Sequence, residues 1–545
     1  MPQPTVTFRR LLVANRGEIA VRIFRTCERL GIETVAVAAP DDRDALHARR
    51  AGAVEDVQSY LDAGEIIVAA RRAGADAVHP GYGFLAENAD FAEAVVGAGL
   101  AWIGPEPGVL AASGDKLEAK RAAERAGVPV VPTGSPEEIG FPLMIKAAAG
   151  GGGRGMRVVR SAEELDEAVA AARREARAGF GDDRLFFERY LERPRHVEVQ
   201  LLGDVHGLVL SLGERECSVQ RRHQKVLEES PSPAVGDDVR AALGEAAVAL
   251  ARALRYTNAG TAEFLLDGPD FYFLELNARI QVEHPVTEEV LGLDLVEEQL
   301  LVAEGRPLDP EPPDPRGHAI EVRLYAEHPL TFLPQAGALE RLELPDEIRV
   351  DAGVEAGDPV PVSYDPMIAK LVARADDRNE ALARLAVALG RTRVSGVTTN
   401  LPFLRWLVSH PDVGAGRTTT AFLDEHPPLS EPFSVPEPWA GFWRLNRNAG
   451  APPPARSGPP QVEAAAHDPA TSGAGGTVSA PMPGTVIQVL AAEGERVQAR
   501  QPIVVLEAMK METPLVSPFD AVVRRVHVAV GDQVAGGAVL VELEE

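Results

Sequence analysis

The stretch Phe273-Leu274-Glu275-Leu276-Asn277-Ala278-Arg279-Ile280-Gln281-Val282-Glu283-His284 sets polar side chains between apolar ones along most of its length. Alternation with a period of two is typical of a β-strand, so we expect Glu275 and Asn277 on one face. A second alternating run, Ala262-Glu263-Phe264-Leu265, supplies another carboxylate. Carboxylate and amide oxygens are the hard ligands that Mg²⁺ prefers beside nucleotide phosphates. We therefore predict a magnesium site on Glu263, Glu275 and Asn277, with Mn²⁺ as the alternative metal.

A row of exposed polar residues on a strand is the simpler interpretation of this stretch. Glu275, however, interrupts an otherwise apolar run. A carboxylate buried there without a partner would be costly, which favours a ligand-binding role.

A glycine-rich segment, Lys146-Ala147-Ala148-Ala149-Gly150-Gly151-Gly152-Gly153-Arg154-Gly155-Met156, lies between two runs that resemble strands, Pro142 to Lys146 and Val158-Val159. Successive glycines let backbone N–H groups approach phosphate oxygens closely. The segment does not have the form of a P-loop, and a merely flexible loop is the simpler alternative. The flanking strands favour a hairpin that closes over nucleotide phosphates, with Gly152 and Gly153 among the contacts.

The N-terminal part has the pattern of an α/β unit. Leu11-Leu12-Val13-Ala14 predicts a buried strand, the helix after it is expected to end at Gly31, and Thr34 to Ala38 predicts a second strand. Strand, helix and strand at this spacing indicate a parallel sheet. The pattern continues to about Gly114.

The character of the chain changes at residues 446–476, which are rich in Pro, Ala, Gly and Ser and predict a linker. After the linker, residues recur at an interval of 37: Pro481, Val486, Val489, Gly494, Val497 and Ile503 correspond to Pro518, Val523, Val526, Gly531, Val534 and Leu540. The repeat predicts two similar β-halves packed as a small sandwich or flattened barrel.

Lys510 lies between the two halves, in Glu507-Ala508-Met509-Lys510-Met511-Glu512. A lysine in a turn is usually an ordinary surface residue. Here Ala508-Met509-Lys510-Met511 matches the attachment motif of biotinyl domains, and Ala480-Pro481-Met482-Pro483-Gly484 matches their opening segment. The resemblance covers the whole terminal domain and implies covalent biotin on Lys510, whereas lipoyl domains normally lack methionine on both sides of their lysine.

Composition excludes several classes of protein. The 545 residues suggest three or four domains, and the net charge of −26 argues against a nucleic-acid-binding body. Cys27 and Cys217 are the two cysteines, so neither a disulfide framework nor a cysteine zinc site is expected. With no run long enough for a membrane span and no room for a leader before Leu11, we expect a cytoplasmic protein without membrane attachment.

From Leu11 to Leu445 the chain resembles the biotin carboxylases of the ATP-grasp superfamily. Four segments carry the resemblance: Ala14-Asn15-Arg16-Gly17-Glu18-Ile19, His79-Pro80-Gly81-Tyr82-Gly83-Phe84-Leu85, Gln220-Arg221-Arg222-His223-Gln224-Lys225, and Arg279-Ile280-Gln281-Val282-Glu283-His284-Pro285-Val286-Thr287-Glu288. It implies an α/β fold with a Rossmann-like pre-ATP-grasp domain (1–115), an ATP-grasp domain (116–315) with a glycine-rich lid at about 128–195, and a mixed C-terminal carboxylase domain (316–445). An all-β biotinyl domain (477–545) follows the linker.

The resemblance also implies roles for individual residues. It assigns ATP binding to Lys116, Lys146, Gly152, Gly153, Glu188, Arg189, Tyr190, Leu191, His196, His223, Glu263 and Glu275. Bicarbonate would be bound by Lys225, Arg279, Gln281 and Val282. Glu283 would be the base that deprotonates bicarbonate, Arg323 would stabilise the biotin enolate, and Lys225 and Arg279 complete the catalytic set.

The implied activity is the ATP-dependent carboxylation of biotin on Lys510 by bicarbonate. A separate carboxyltransferase β subunit would pass the carboxyl group to an acyl-CoA, because the chain has no segment for that step. Acetyl- or propionyl-CoA is expected first, with methylcrotonyl-CoA left open by Trp443-Arg444-Leu445-Asn446, a remnant of the barrel that larger α subunits carry there. A biotin protein ligase and self-association are also implied.

Some features depart from the family pattern. Ala149 stands where the family has the first of five glycines, and two stretches are short, after Ala53-Val54-Glu55 and between Pro132-Thr133-Gly134 and Lys146. They leave a second hypothesis open, a non-catalytic biotin carrier or assembly scaffold with an inactive body. A third, a different ATP-grasp ligase such as a carbamoyl-phosphate synthetase, leaves the biotinyl domain unexplained.

Overall fold

The computed structural model describes residues 7–148, 156–180, 182–221, 224–361, 363–427, 476–480, 484–508, 511–534 and 537–544. The predicted linker 446–476 lies almost wholly outside these residues. Within the described ranges, no helix combines the length and the apolar character that a membrane span requires.

The N-terminal part is a parallel α/β unit, as predicted. Its strands are β1 (Arg10–Val13), β2 (Glu33–Ala38), β3 (Ala53–Asp56), β4 (Ala77–His79) and β5 (Ala101–Trp102), in the order β3-β2-β1-β4-β5. The helices are α1 (Gly17–Leu30), α2 (Leu46–Arg50), α3 (Ala63–Arg72), α4 (Ala89–Gly97) and α5 (Pro107–Gly114). Helix α1 ends where expected, because Gly31 adopts a left-handed φ of 74° that L side chains disfavour.

A small separate layer follows: α6 (Lys116–Arg125), α7 (Pro136–Ile139), β6 (Leu143–Ala147), β7 (Arg157–Val159), α8 (Ala162–Phe180) and β8 (Leu185–Arg189). Its three strands form a sheet in the order β7-β6-β8 over a core of its own, built on Leu143, Ile145 and Val159. Strands β6 and β7 pair antiparallel, which confirms the two strands predicted on either side of the glycines. The glycines between them, including Gly152 and Gly153, lie outside the described residues, as does Ala149.

The largest sheet has eight strands in the order β13-β12-β9-β10-β11-β14-β19-β17. The elements of this region are β9 (Arg195–Gly203), β10 (Val209–Arg221), β11 (Gln224–Ser230), α9 (Asp237–Ala253), β12 (Asn258–Asp267), β13 (Asp270–Asn277), α10 (His284–Leu291), α11 (Leu295–Ala303), β14 (His318–Tyr325), β15 (Gly337–Ala338), β16 (Arg341–Glu343), β17 (Arg349–Ala352), β18 (Pro359–Val360), β19 (Met367–Ala375), α12 (Arg378–Arg391), β20 (Arg393–Ser395), α13 (Leu401–Ser409), α14 (Pro411–Gly414) and α15 (Phe422–Glu425). Neighbouring strands of the sheet are antiparallel.

This sheet is continuous across residue 315, the boundary that sequence reasoning set between two domains. Strands β9 to β13 precede the boundary, while β14, β17 and β19 follow it and complete the same sheet through the β11–β14 pair. Side chains from both sides of the boundary therefore meet on one face of the sheet.

The C-terminal region is all β and contains the predicted repeat. Its strands are β21 (Thr477–Ser479), β22 (Gly484–Val489), β23 (Arg496–Val497), β24 (Pro502–Ala508), β25 (Met511–Val516), β26 (Ala521–Val526), β27 (Gln533–Val534) and β28 (Val539–Glu544). They form two four-stranded sheets, β21-β28-β26-β23 and β25-β24-β22-β27.

Each half of the repeat contributes a short strand to the sheet of the other half, since β23 pairs with β26 and β27 pairs with β22. Equivalent backbone bonds join the halves: Gly494 N donates to Val523 O, and Gly531 N donates to Val486 O, each at 2.7 Å. Exchange of strands ties the two halves into one core. Lys510, at the junction between β24 and β25, lies outside the described residues.

The repeat predicts equal energetic roles for Val486 and Val523, which are both fully buried. We expect Val486→Ala and Val523→Ala each to lower the free energy of unfolding of this region by about 2 kcal/mol, because each removes two buried methyl groups. Hydrogen exchange of the region in the full chain measures the effect. The control is Val530→Ala, since Val530 is 65% exposed and its truncation should change little. Unequal effects at the two core positions would contradict the equivalence.

Candidate active site

The centre of the site is the buried ammonium group of Lys225 on β11, which is paired with three carboxylates. Its Nζ donates to Glu198, to Glu263 Oε1 at 2.8 Å and to Glu283 Oε1 at 2.6 Å. The carboxylates come from β9, from β12 and from the segment before α10, and each is at least 95% buried. The ammonium group of Lys225 therefore links β11 to β9, to β12 and to the segment before α10.

The same arrangement fixes the charge states of its members. Burial opposes every charge here, but Lys225 and Arg323 outweigh it at Glu283, whose pKa lies well below the ordinary value. At Glu263, Lys225 and His196 outweigh burial in the same way and lower the pKa. The carboxylates in turn raise the pKa of Lys225 well above its usual value, against the effect of burial. Glu263, Glu283 and Lys225 are therefore all charged at neutral pH.

Glu198 is a member that sequence reasoning missed. Arg215 Nε donates to its second oxygen at 2.6 Å, and the Arg215 guanidinium also donates to Gln200 Oε1 at 2.7 Å and to Thr287 Oγ1 at 2.9 Å. The signal was present in β9, where His196, Glu198 and Gln200 alternate with apolar residues. This strand has the same pattern that identified Glu263.

The predicted metal ligands lie together on one face of the β12–β13 pair. Glu263 is directly opposite Glu275 in the register, and Asn277 is two residues further along β13, where its Nδ2 donates to Glu263 Oε1 at 2.8 Å. Glu275 is only half-buried, with 28% of its side chain exposed, and pairs with Lys116 Nζ at 3.4 Å. The expectation of a buried Glu275 was thus wrong: its carboxylate is open to a ligand. Two carboxylates and an amide oxygen on one face fit Mg²⁺.

His196, Glu198 and Glu263 also bring possible ligand atoms within 4.8 Å of one another. The ammonium of Lys225 already binds both Glu198 and Glu263. Within this ion-pair network the Nε2 of His196 lies 2.8 Å from Glu263 Oε2, so His196 helps to orient that carboxylate.

Arg323 on β14 extends the network from Lys225 to the far side of Glu283. Its NH2 group donates to Glu283 Oε2 at 3.0 Å, and its Nε donates to Glu228 Oε1 at 2.7 Å. Glu283 is therefore held at both oxygens, by Lys225 on one side and by Arg323 on the other. The predicted base and the predicted enolate-stabilising cation are in direct contact.

Three of the four predicted bicarbonate ligands, all except Lys225, lie in the segment between β13 and α10. Arg279 NH1 donates to Gln281 Oε1 at 2.9 Å, and Arg279 Nε lies 3.1 Å from a carboxylate oxygen of Glu87. The carbonyl of Val282 accepts from Lys370 Nζ at 2.9 Å. These contacts hold the segment in one conformation beside Lys225 and Glu283.

Lys370 links this segment to the N-terminal unit and was not predicted. It is fully buried, and its Nζ lies 3.2 Å from Glu18 Oε2, while the hydroxyl of Tyr82 donates to the other oxygen of Glu18. The side chain of Asn15 donates to the carbonyls of Pro80 and Tyr82 at 2.7 Å each. The contacts thus join two of the sequence motifs, those beginning at Ala14 and at His79, to each other. Through Lys370 they also join these motifs to the segment between β13 and α10.

A second cluster lies on the small sheet, where Glu188 of β8 binds two lysines. Lys146 Nζ of β6 lies 2.5 Å from its Oε2, and Lys120 of α6 donates to its Oε1. Burial opposes the ionised carboxylate, but the two ammonium groups prevail and lower the pKa of Glu188. Lys120 follows Lys116 by one helical turn, so one face of α6 connects this cluster to Glu275.

The structure places other predicted nucleotide contacts at the end of β8, where Arg189 is exposed, Tyr190 is half-buried and Leu191 is buried. His223 lies outside the described residues, like Gly152, Gly153 and Lys510. The other described residues assigned from the sequence fall into the Lys225 network, the segment between β13 and α10, the Lys116–Glu275 pair and the cluster around Glu188.

Replacing Lys225 tests whether its charge holds the site together. We expect Lys225→Met to lower the free energy of unfolding by about 3 kcal/mol or more at pH 7, because it removes the cation that three buried carboxylates share. Without the ammonium, burial raises the pKa of these carboxyl groups above their unfolded values. The variant should then gain more stability than the wild type as the pH falls from 7 towards about 5. Thermal denaturation at several pH values measures both effects.

Lys116→Met is the matched control for this variant, because Lys116 makes a single pair at 3.4 Å in a half-buried position. Its loss should cost less than about 1 kcal/mol. A Lys225→Met protein as stable as the wild type at pH 7 would contradict the role of the buried cation.

Family models match most of the chain: "Biotin carboxylase, N-terminal domain" at residues 7–110, "Carbamoyl-phosphate synthase L chain, ATP binding domain" at 115–311, "Biotin carboxylase C-terminal domain" at 321–425 and "Biotin-requiring enzyme" at 476–543. The chain is 48% identical over 442 residues to the biotin carboxylase of Halalkalibacterium halodurans, an alignment that covers 77% of this chain and 98% of the relative. It is 48% identical to the mitochondrial methylcrotonoyl-CoA carboxylase subunit alpha of Arabidopsis thaliana, covering 76% of this chain and 60% of the relative.

Solved structures agree with these matches. A biotin carboxylase complex from Campylobacter jejuni superposes with a TM-score of 0.76 at 42% identity, covering 77% of this chain and 99% of the other. The biotin carboxylase domain of the Hydrogenobacter thermophilus 2-oxoglutarate carboxylase, bound to MgADP and bicarbonate, gives a TM-score of 0.76 at 41% identity, covering 77% and 98%. The chain therefore belongs to the biotin carboxylase family, as an ATP-dependent biotin carboxylase fused to a biotinyl carrier domain.

Proposed function

We propose that the Lys225 network is the site where bicarbonate is activated by ATP and its carboxyl group is passed to biotin carried on Lys510 of the same chain. The observation that carries the proposal is the chain of contacts Lys225–Glu283–Arg323, a deprotonated carboxylate held between two cations in a buried position. A carboxylate kept ionised can accept a proton, and the cations beside it can hold an anionic substrate.

Glu283 is the proposed base for bicarbonate. Its low pKa, set against burial by Lys225 and Arg323, keeps it deprotonated at neutral pH. Lys225, Arg279 and Gln281, with the backbone at Val282, are the proposed bicarbonate contacts. Removal of the proton makes bicarbonate a better nucleophile, so that its oxygen attacks the γ-phosphorus of ATP as ADP leaves.

Glu263, Glu275 and Asn277 are the residues that would hold Mg²⁺. When bound, the ion would neutralise charge on the nucleotide phosphates. Lys116 and the Glu188 cluster are the proposed nucleotide contacts on the protein side, together with Lys146, Gly152, Gly153, Arg189, Tyr190, Leu191, His196 and His223. The attack of bicarbonate on ATP gives carboxyphosphate, which is labile in water. A glycine-rich lid over this site would exclude water from it.

The names of the relatives support a proposal about the acyl-CoA substrate and the partner. Relatives named as α subunits of methylcrotonoyl-CoA and propionyl-CoA carboxylases match at 48% and 44% identity, and the alignments cover 60% and 70% of their lengths. We propose a separate carboxyltransferase β subunit acting on acetyl- or propionyl-CoA, with methylcrotonyl-CoA as the alternative. Biotin would be attached to Lys510 by a biotin protein ligase, and the body would self-associate.

A non-catalytic carrier or scaffold is the second candidate. The shortened stretches and Ala149 motivate it. The complete set of buried charges in the described site argues against it, because an inactive body has no need for a costly group of buried ions. Activity with free biotin separates the two candidates.

Replacing the proposed base tests the assignment of Glu283. We expect Glu283→Gln to lower the rate of ADP formation that depends on free biotin and bicarbonate by about 100-fold or more, because the amide cannot accept the proton. Glu229→Gln is the control, since Glu229 is equally buried on β11 but binds His318 and Arg378 instead. A Glu283→Gln protein with wild-type activity would show that Glu283 is not the base.

Replacing a proposed metal ligand tests the magnesium site. We expect Glu275→Gln to raise the Mg²⁺ concentration needed for half-maximal ADP formation about tenfold, because an amide oxygen is a weaker ligand than a carboxylate. Asp270→Asn, an exposed position at the start of β13, should leave that concentration unchanged. Equal Mg²⁺ dependence in both variants would contradict the assignment of Glu275.

A further inference from the structure

Strand β14 carries a buried carboxyl group that the catalytic assignments leave unexplained. The side chain of Glu321 is fully buried, and among the described residues neither of its carboxyl oxygens has a hydrogen-bond partner. Two buried oxygens without partners would strongly destabilise the fold if the group were ionised. Glu321 must therefore be satisfied in another way.

A second carboxyl group with an unpartnered oxygen lies on the neighbouring strand. Glu228 on β11 is directly opposite Glu321 in the β11–β14 register, so the two side chains lie on one face. Glu228 Oε1 accepts from Arg323 Nε at 2.7 Å, but its Oε2 is buried without a partner. Ionised carboxylates only accept hydrogen bonds, whereas a protonated carboxyl group can donate one.

We propose that Glu321 is protonated and donates a hydrogen bond to Glu228, and that this carboxyl–carboxylate pair is a positioning device for Arg323. The proton satisfies one oxygen of each residue. It also fixes the orientation of Glu228, whose other oxygen holds the guanidinium of Arg323. The proposal rests on the function proposed above, in which Arg323 and Glu283 act on biotin and bicarbonate.

The charges around Glu321 favour the protonated form. Burial raises its pKa well above the ordinary value, Lys370 and Arg323 oppose this, and Glu228 and Glu283 add to it. These groups face it from β19, β14, β11 and the segment before α10. On α10, burial lowers the pKa of His284 well below its usual value and keeps the imidazole neutral. On α1, the carboxylate of Glu18 is paired with Lys370 and accepts a hydrogen bond from Tyr82.

Neutrality at Glu321 matters for Arg323, which lies two residues away on the same face of β14. An ionised Glu321 would compete with Glu283 for the guanidinium. A neutral Glu321 leaves Arg323 bound to Glu228 and Glu283 alone. The pair thus keeps the guanidinium of Arg323 in place beside Glu283. In the proposed function this guanidinium stabilises the biotin enolate, whose negative charge lies on the ureido oxygen.

Infrared spectroscopy of the full chain tests the protonation directly and needs no enzyme activity. At about pH 9, the difference spectrum of wild type against Glu321→Gln should contain the C=O band of one protonated carboxyl group. Glu298→Gln is the control, because burial raises the pKa of Glu298 on α11 to only about 7, so it should contribute no such band at that pH. Absence of the band for Glu321, or failure of the nearly isosteric Glu321→Gln to fold, would overturn the proposal.

Kinetics with free biotin test the positioning role. Glu321→Gln keeps a neutral donor, so kcat/KM for biotin should stay near wild type and its decline at alkaline pH should shift to higher pH. Glu321→Ala should lower kcat/KM for biotin about tenfold while KM for ATP stays unchanged, because only Arg323 is misplaced. Equal kcat/KM for biotin in wild type and Glu321→Ala would overturn the positioning role of Glu321.

Failure of the proposed function is distinguishable from failure of this inference. A wild type without biotin-dependent activity would refute the proposed function, while the infrared result would still decide whether Glu321 is protonated.

Discussion

The pairing of one buried ammonium group with three buried carboxylates is the interaction on which the rest of the site depends. Lys225 would be unstable in this place without Glu198, Glu263 and Glu283, and each of these carboxylates is stabilised there by Lys225. Their mutual dependence fixes the relative positions of β9, β11, β12 and the segment before α10. The same contacts hold Glu283 ionised, so one constraint provides both the geometry and the charge state that the proposed chemistry needs.

The large antiparallel sheet makes this arrangement possible. Because side chains alternate between faces, polar residues at every second position of neighbouring strands collect on one face. Strand β14 comes from beyond the boundary drawn in the sequence and brings Arg323 to the same face. The two parts of the body are therefore joined by the sheet that carries the site.

Much of the site could be predicted from the sequence where a local pattern carried it. Glu263, Glu275 and Asn277 stood out through strand alternation, and the repeat interval in the C-terminal region placed its strands in two equivalent halves. Glu198 had the same signal and was overlooked. Lys370 and the Glu228–Glu321 pair could not be found in this way, because their partners are distant in sequence and the strand register that joins them is set by packing across the whole sheet. The degree of burial of Glu275 also depended on its place at the edge strand β13.

We propose that one chain both activates bicarbonate and carries the acceptor biotin. It is tested most directly by incubating the biotinylated protein with ATP, Mg²⁺ and labelled bicarbonate and measuring label that remains with the protein after rapid gel filtration. The account predicts label on the wild type and none on Lys510→Arg, although Lys510→Arg should still form ADP when free biotin is supplied. Biotinylated wild-type protein that acquires no label would contradict the account.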